Sequence, residues 1–238
     1  MLLYYVRHGD PIYDPDQLTP LGKRQAEAVA RRLARYGLDE IYVSSSTRAK
    51  QTAAPTCEIL KKEPVILDWT NEDYAWRQLT VKNKDGRIFW GFGDPETKKL
   101  FASEELGKLR FEWYRHPYFE GTQFDAGIKR IQKETYAFLE SQGLKFDPER
   151  GGFTEQFPNE KRIALFAHQG FGLAFLSVLV NIPYPQFSIH FDVSHSDLTV
   201  IEFEKTGDLV IPRILTLSND AHLYGDGLPT KYNNRLYI

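Results

Sequence analysis

A single cysteine, Cys57, leaves the chain without any means of closing an internal disulfide. That excludes the stapled frameworks of small secreted domains and points to a reducing compartment. No stretch approaches the roughly 20 consecutive apolar residues that a membrane-crossing helix needs. The opening MLLYYVRHG has no basic segment and too short an apolar run for a secretion signal, so a cytoplasmic location is expected. Charge is nearly balanced, 30 Lys and Arg against 32 Asp and Glu, which argues against broad attraction to nucleic acid or an anionic membrane. Metal-ligand spacing is scarce too: the six histidines are scattered, and neither HExxH nor CxxC occurs. No metal and no cofactor are therefore expected. Internal repeats, low-complexity runs and domain linkers are also absent. The 238 residues suffice for one α/β domain, 1–238, with a substantial core. Nothing in the sequence specifies an oligomeric state.

What is present is an alternation of apolar runs with helical patterns. Residues 2 to 6, LLYYV, read as a buried strand. TPLGKRQAEAVARRLARYG reads as a helix, with Thr19 as its cap, Pro20 in its first turn and Gly37 as its stop. EIYVS (40 to 44) and PVILD (64 to 68) read as strands around a second helix, STRAKQTAAPTCEILKK, which Pro55 is expected to make irregular. This order predicts a three-layer α/β sandwich: a mostly parallel central sheet with helices on both faces. From about 70 to 120 the pattern becomes irregular and rich in aromatics, an insertion that either packs internally or folds over the strand ends as an apolar rim. A helix resumes around FDAGIKRIQKETYAFLESQG, followed by the turn-rich LKFDPERGGFTEQFPNEK. RIALFA is a fully apolar strand, GFGLAFLSVLV an apolar helix, and DLTVIEFEKTGDLVIPRILTL two strands joined at Thr206-Gly207-Asp208.

Arg7-His8-Gly9 and His168-Gln169-Gly170 each sit at the carboxyl end of a predicted strand. That edge is where open α/β sheets place their ligands. Glycine after each histidine lets the backbone turn sharply. Arg48 lies near the start of the helix after the second strand and can reach the same edge. Two arginines, two histidines and a helix N-terminus converging there make a cation-lined pocket suited to a phosphoryl group. Each residue alone has a plainer reading: a core histidine with a hydrogen bond, an arginine pairing with Asp10, a solvated helix arginine. The ordered set RHG, SSSTRAKQTA (44 to 53) and AHQG (167 to 170) is what points to one shared site.

With these motifs and LTPLGKRQA (18 to 26), the chain resembles the histidine phosphatase superfamily, in its phosphoglycerate mutase-like branch. The resemblance implies that His8 is a nucleophile forming a phosphohistidine and that Arg7, Arg48 and His168 hold the phosphoryl group. It implies a general acid shortly after the third strand, Glu72, with the adjacent Asp73 as the alternative. The implied activity is metal-independent hydrolysis of a small-molecule phosphomonoester. A phosphoglycerate-type mutase and a non-catalytic phosphate-binding relative are the competing readings. A mutase calls for further cations, and Lys98, Lys99, Lys108, Arg110 and Arg115 form no compact cluster. Gln169 stands where the acid-phosphatase branch carries aspartate, which argues against that branch. The chain departs from the family pattern at two places: the run after RHG reads Asp10, Pro11 and, where many relatives have asparagine, Asp14, and Gly121-Thr122-Gln123 replaces a GES motif. Asp14 either faces the pocket and repels anions or turns the loop before Pro15. His195 and His222 either approach the pocket mouth or serve a structural role.

Overall fold

Apolar side chains on both faces decide which strands lie at the centre of the sheet. In the first strand, β1 (Leu2–Arg7), Leu3 and Tyr5 join one apolar cluster and Val6 joins another. The RIALFA strand behaves in the same way: Ile163, Leu165 and Ala167 face the first cluster, Ala164 and Phe166 the second. Strands covered on both sides carry continuous apolar runs, the pattern of a parallel sheet. The computed structural model describes residues 1–230 and 232.

After β1 come a small hairpin, β2 (Pro11–Tyr13) and β3 (Asp16–Leu18), then α1 (Pro20–Ala34), β4 (Glu40–Val43), α2 (Thr47–Leu60), β5 (Val65–Ile66) and α3 (Glu72–Gln78). The aromatic segment forms a second hairpin, β6 (Thr80–Lys82) with β7 (Ile88–Trp90), and the helices α4 (Pro95–Phe101) and α5 (Glu104–Leu109). Then follow α6 (Phe124–Ser141), β8 (Leu144–Asp147), β9 (Gly152–Glu155), β10 (Arg162–Ala167), α7 (Gln169–Leu179) and α8 (Tyr184–His190). The chain continues through β11 (Leu198–Thr206), β12 (Leu209–Asn219) and α9 (Ala221–Gly225).

One sheet of eight strands runs in the order β5-β4-β10-β1-β11-β12-β9-β8. The first four are parallel, so Arg7 lies opposite Ala167 and Phe166 opposite Val43. The carboxyl ends of β1, β4 and β10 therefore meet at one edge. β11 is antiparallel to β1, with Leu198 opposite Val6, so the loop entering β11 reaches that same edge. Helices α1 and α2 cover one face through Val29, Leu33, Ala49 and Ala53. Helices α3, α6 and α7 cover the other, through Ala75, Ile131, Phe171 and Phe175 among others. Among the described residues no helix is long and apolar enough to cross a membrane.

Three local expectations are refined. α2 runs through Pro55 without a break; proline removes one backbone hydrogen bond, while Ala49 and Ala53 on the preceding turns anchor the helix in the core. The turn-rich segment after α6 is the β8–β9 hairpin, which extends the sheet by pairing Phe153 with Val210. Most of the aromatic segment is packing: Trp113 lies 5.0 Å from Phe124 and 5.2 Å from Phe119, ring centre to ring centre. Trp76 and Trp90 instead form a rim over the sheet edge.

Candidate active site

His8 stands one residue beyond β1. Its N–H donates to the Ala167 carbonyl at 2.9 Å, which carries the β1–β10 ladder one step further. Gly9 then turns the chain beneath α1. A Cβ on Gly9 would lie 2.6 Å from the Gly22 carbonyl oxygen, and a Cβ on Gly22 would lie 2.2 Å from the Asp10 carbonyl oxygen. The glycines of RHG and PLGKRQA are thus two sides of one close backbone approach. Thr19 caps α1, its hydroxyl accepting the Gly22 N–H at 3.0 Å. Ser46 caps α2 and so places Arg48 in that helix's first turn. His168 ends β10 and opens α7.

Above these strand ends lies a cavity of about 730 Å³ lined by Arg7, His8, Arg48, Glu72, Asp73 and Gln169 among others, with Trp76 and Trp90 as walls. His8 is buried, and its Nδ1 sits 2.8 Å from its neighbour's carbonyl, Gly9 O. A carbonyl can only accept, so Nδ1 carries the proton and Nε2 keeps the lone pair. Burial first, then the charges of its surroundings, hold the His8 pKa well below the ordinary histidine value. The ring is neutral and nucleophilic across the physiological range.

Arg7 is clamped from behind. It donates to the Val193 carbonyl at 2.6 Å and to His195 Nε2 at 2.9 Å. The other nitrogen of His195 lies 3.7 Å from an Asp10 carboxylate oxygen. Burial lowers the Arg7 pKa, opposed first by Asp197 and then by Asp192. Arg48 donates to Asp16 at 2.8 Å and to His168 Nδ1 at 3.2 Å, with the Tyr13 ring 5.4 Å from its guanidinium carbon. His168 Nε2 in turn lies 2.8 Å from Ser44 Oγ. His168 is fully buried and stays neutral, its pKa lowered by burial and by Arg48. The Tyr5 hydroxyl donates to the His168 carbonyl and accepts its N–H.

Glu72 opens α3 and reaches across to α7. Its two carboxylate oxygens accept the N–H groups of Gly170 and Phe171, each at 2.9 Å. Burial raises its pKa, an effect partly offset by those two hydrogen bonds. Asp73 lines the same cavity but is exposed.

The sequence-predicted residues Arg7, His8, Arg48 and Glu72 therefore converge on one cavity, whereas His168 sits one layer behind it, against Arg48. Asp14 is exposed and is not among the residues that line the cavity; the carboxylate that meets Arg48 is that of Asp16, two residues on. His222 stands outside, donating from Nε2 to the Ser196 carbonyl at 2.8 Å and accepting from Arg32 at 3.2 Å. Ser196 N–H points at the carbonyls of both Arg7 and His8, so His222 supports the backbone of His8 from a distance. Asp16, Ser44 and Asp197 escape sequence reading. Of these only Ser44 carried a usable signal, as the first residue of the SSSTRAKQTA motif. Asp197 is buried, and burial pushes its pKa up to about 7.

Residues 3–84 match the model of the histidine phosphatase superfamily (branch 1). Over that segment the chain is similar to the histidine phosphatase superfamily. A protein of Hydrogenobacter thermophilus, provisionally named phosphoserine phosphatase 2, is 26% identical to this chain over 147 residues. The match takes in 58% of this chain, and the chain spans 64% of that protein's length. Solved structures share the fold at low identity. A mycobacterial glucosyl-3-phosphoglycerate phosphatase gives a TM-score of 0.58 at 19% identity, over 92% of this chain and 98% of its own. Phosphoserine phosphatase from Entamoeba histolytica gives 0.58 at 18%, over 93% and 98%. The α-ribazole phosphatase of Shigella flexneri gives 0.58 at 17%, over 92% and 97%.

Proposed function

We propose that this protein is a histidine phosphatase that hydrolyses a small-molecule phosphomonoester through a phosphohistidine on His8. The observation that carries the reading is the Nδ1 contact to the Gly9 carbonyl. It fixes the tautomer that leaves Nε2 free to attack, beside two guanidinium groups. In the first step Nε2 forms a bond to phosphorus as the ester P–O bond breaks, and Glu72 gives its proton to the leaving oxygen. In the second, the Glu72 carboxylate takes a proton from water, whose oxygen displaces His8 and releases phosphate. Arg7 and Arg48 stabilise charge on the equatorial oxygens. His168 acts through Arg48, a positioning role narrower than direct contact.

With two guanidinium groups supplying that stabilisation, the reaction is expected to run without a metal, and excess chelator should leave the rate nearly unchanged. The cavity lining argues for hydrolysis over mutase chemistry. Among the described residues Arg7 and Arg48 are its only arginines, and no lysine lines it. Lys99, Lys108 and Arg115 are engaged elsewhere with Glu96, Glu104 and Glu112. A second phosphoryl group would find no cation of its own.

The test is His8→Ala with p-nitrophenyl phosphate. Acid-labile phosphoenzyme should vanish and turnover should fall by at least about a thousandfold. Labelling that persists in the folded variant would move the nucleophile elsewhere.

A further inference from the structure

The outer half of the cavity has a chemistry of its own. α3 places Glu72, Asp73 and Trp76 on neighbouring turns, at spacings of three and four residues, so all three reach the cavity. Trp76 meets Trp90 nearly at right angles, 81° with ring centres 5.0 Å apart. Trp90 is held rigid: Phe92 stacks on it at 5.7 Å, and its ring lies so close over Gly170 that a Cβ there would approach to 2.4 Å. The two indoles make an aromatic corner on the side of the cavity where Glu72 meets α7.

Charge divides the cavity in the same way. Its two cations stand at the phosphoryl end, and Arg48 is already paired with Asp16. A bound phosphoryl group would neutralise what remains of their charge. Asp73, beside the aromatic corner, then faces the rest of the substrate with no lysine or further arginine in the lining among the described residues. An anionic group there would meet a like charge. An ammonium group would meet aromatic rings that line the cavity and a carboxylate, the combination that holds alkylammonium ions.

Building on the phosphatase reading, we infer that the substrate is an alkyl phosphomonoester whose far end carries an ammonium group and no carboxylate. The phosphate enters at Arg7, His8 and Arg48. The ammonium rests in the corner of Trp76 and Trp90, next to Asp73.

The experiment compares kcat/KM for phosphocholine with that for 3,3-dimethylbutyl phosphate, which has the same shape without the charge. 3-Phosphoglycerate serves as the anionic control, and p-nitrophenyl phosphate is run alongside. Phosphocholine should exceed its neutral isostere by about tenfold, and 3-phosphoglycerate should be the poorest of the three. Trp76→Leu and Asp73→Asn should each bring the charged-to-neutral ratio towards one; because the readout is a ratio, a general loss of activity cancels. A wild-type ratio of one or less, with aryl phosphate still hydrolysed through His8, overturns this inference and leaves the phosphatase reading standing. No hydrolysis of any of the four esters overturns both.

Discussion

Glu72 and Asp73 are neighbours in the chain but not in environment. Glu72 has both oxygens on the amides that open α7 and a pKa raised by burial, whereas Asp73 is exposed. A carboxyl group that holds its proton nearer neutrality can give it to a leaving oxygen. An acid matters most when the leaving group is poor. Glu72→Gln should therefore lower kcat/KM on uncharged alkyl phosphates by about 10² or more, with a much smaller effect on p-nitrophenyl phosphate. Asp73→Asn should change the two alike and by only a few-fold. Rates on a series of leaving groups of rising pKa check this: a steep slope acquired by the Asp73 variant and not by the Glu72 variant would transfer the role. The sequence narrowed the proposed acid to this adjacent pair and no further, because what separates the two is contact with an α7 backbone 98 residues away.

Two elements bring Arg7, His8 and Arg48 together, and they were unequally readable. α1 announced itself through Thr19, Pro20 and the spacing of Val29 and Leu33, and its Gly22 proves to be pinned against the RHG turn. Gly22→Ala must push backbone away from backbone, since the new Cβ would sit 2.2 Å from the Asp10 carbonyl oxygen. A loss of about 1–3 kcal/mol in urea unfolding is expected, and an unchanged midpoint would mean that the turn can relax freely. The β2–β3 hairpin was not readable. Its strands have three residues each, too short to show a period, and nothing local distinguishes Asp14 from Asp16. Its function is tertiary: Asp16 takes the Thr47 N–H at 2.7 Å and the Arg48 guanidinium at 2.8 Å. Asp16→Asn keeps an oxygen for Thr47 but no longer neutralises Arg48. Inorganic phosphate should then inhibit a few-fold more tightly, while Asp14→Asn should leave the inhibition constant unchanged. Weaker inhibition by phosphate in the Asp16 variant would show that the carboxylate chiefly orients Arg48.

At the scale of the whole molecule, burial of the histidines favours their neutral form, as the proposed nucleophile His8 requires. The strand ends that hold His8 and His168 could be read from apolar runs broken by glycine. The loop into β11 and its partner α9 could not, since they reach the site only because β11 runs antiparallel to β1. The consequence is a stability that depends on pH. His8 and His168 are held well below the ordinary histidine value, and His222, outside the cavity, is lowered to about 4, chiefly by burial. Histidines of the unfolded chain titrate near about 6.5. As pH falls from there towards 4, the unfolded chain takes up protons that the folded one refuses. The stability owed to a neutral His222 is thus full above about 6.5 and drains away below it. Asp197 has the opposite sign: its pKa is raised to about 7, so its contribution is full below the unfolded value of about 3.9 and is lost as pH rises through 7. The two windows overlap, so the wild-type profile alone cannot separate them, but a difference between two proteins can. His222→Gln keeps an N–H for the Ser196 carbonyl and removes the titration. Measured by thermal unfolding from pH 7.5 to pH 4, the variant should melt below the wild type at the upper end, where a fitted imidazole outperforms an amide. The gap should close as pH falls below about 6.5, because only the wild type pays for keeping residue 222 unprotonated. A gap that stays constant across the range would mean that His222 accepts its proton in the folded protein as readily as in the unfolded chain, and that Arg32 and Ser196 do not lock its neutral form.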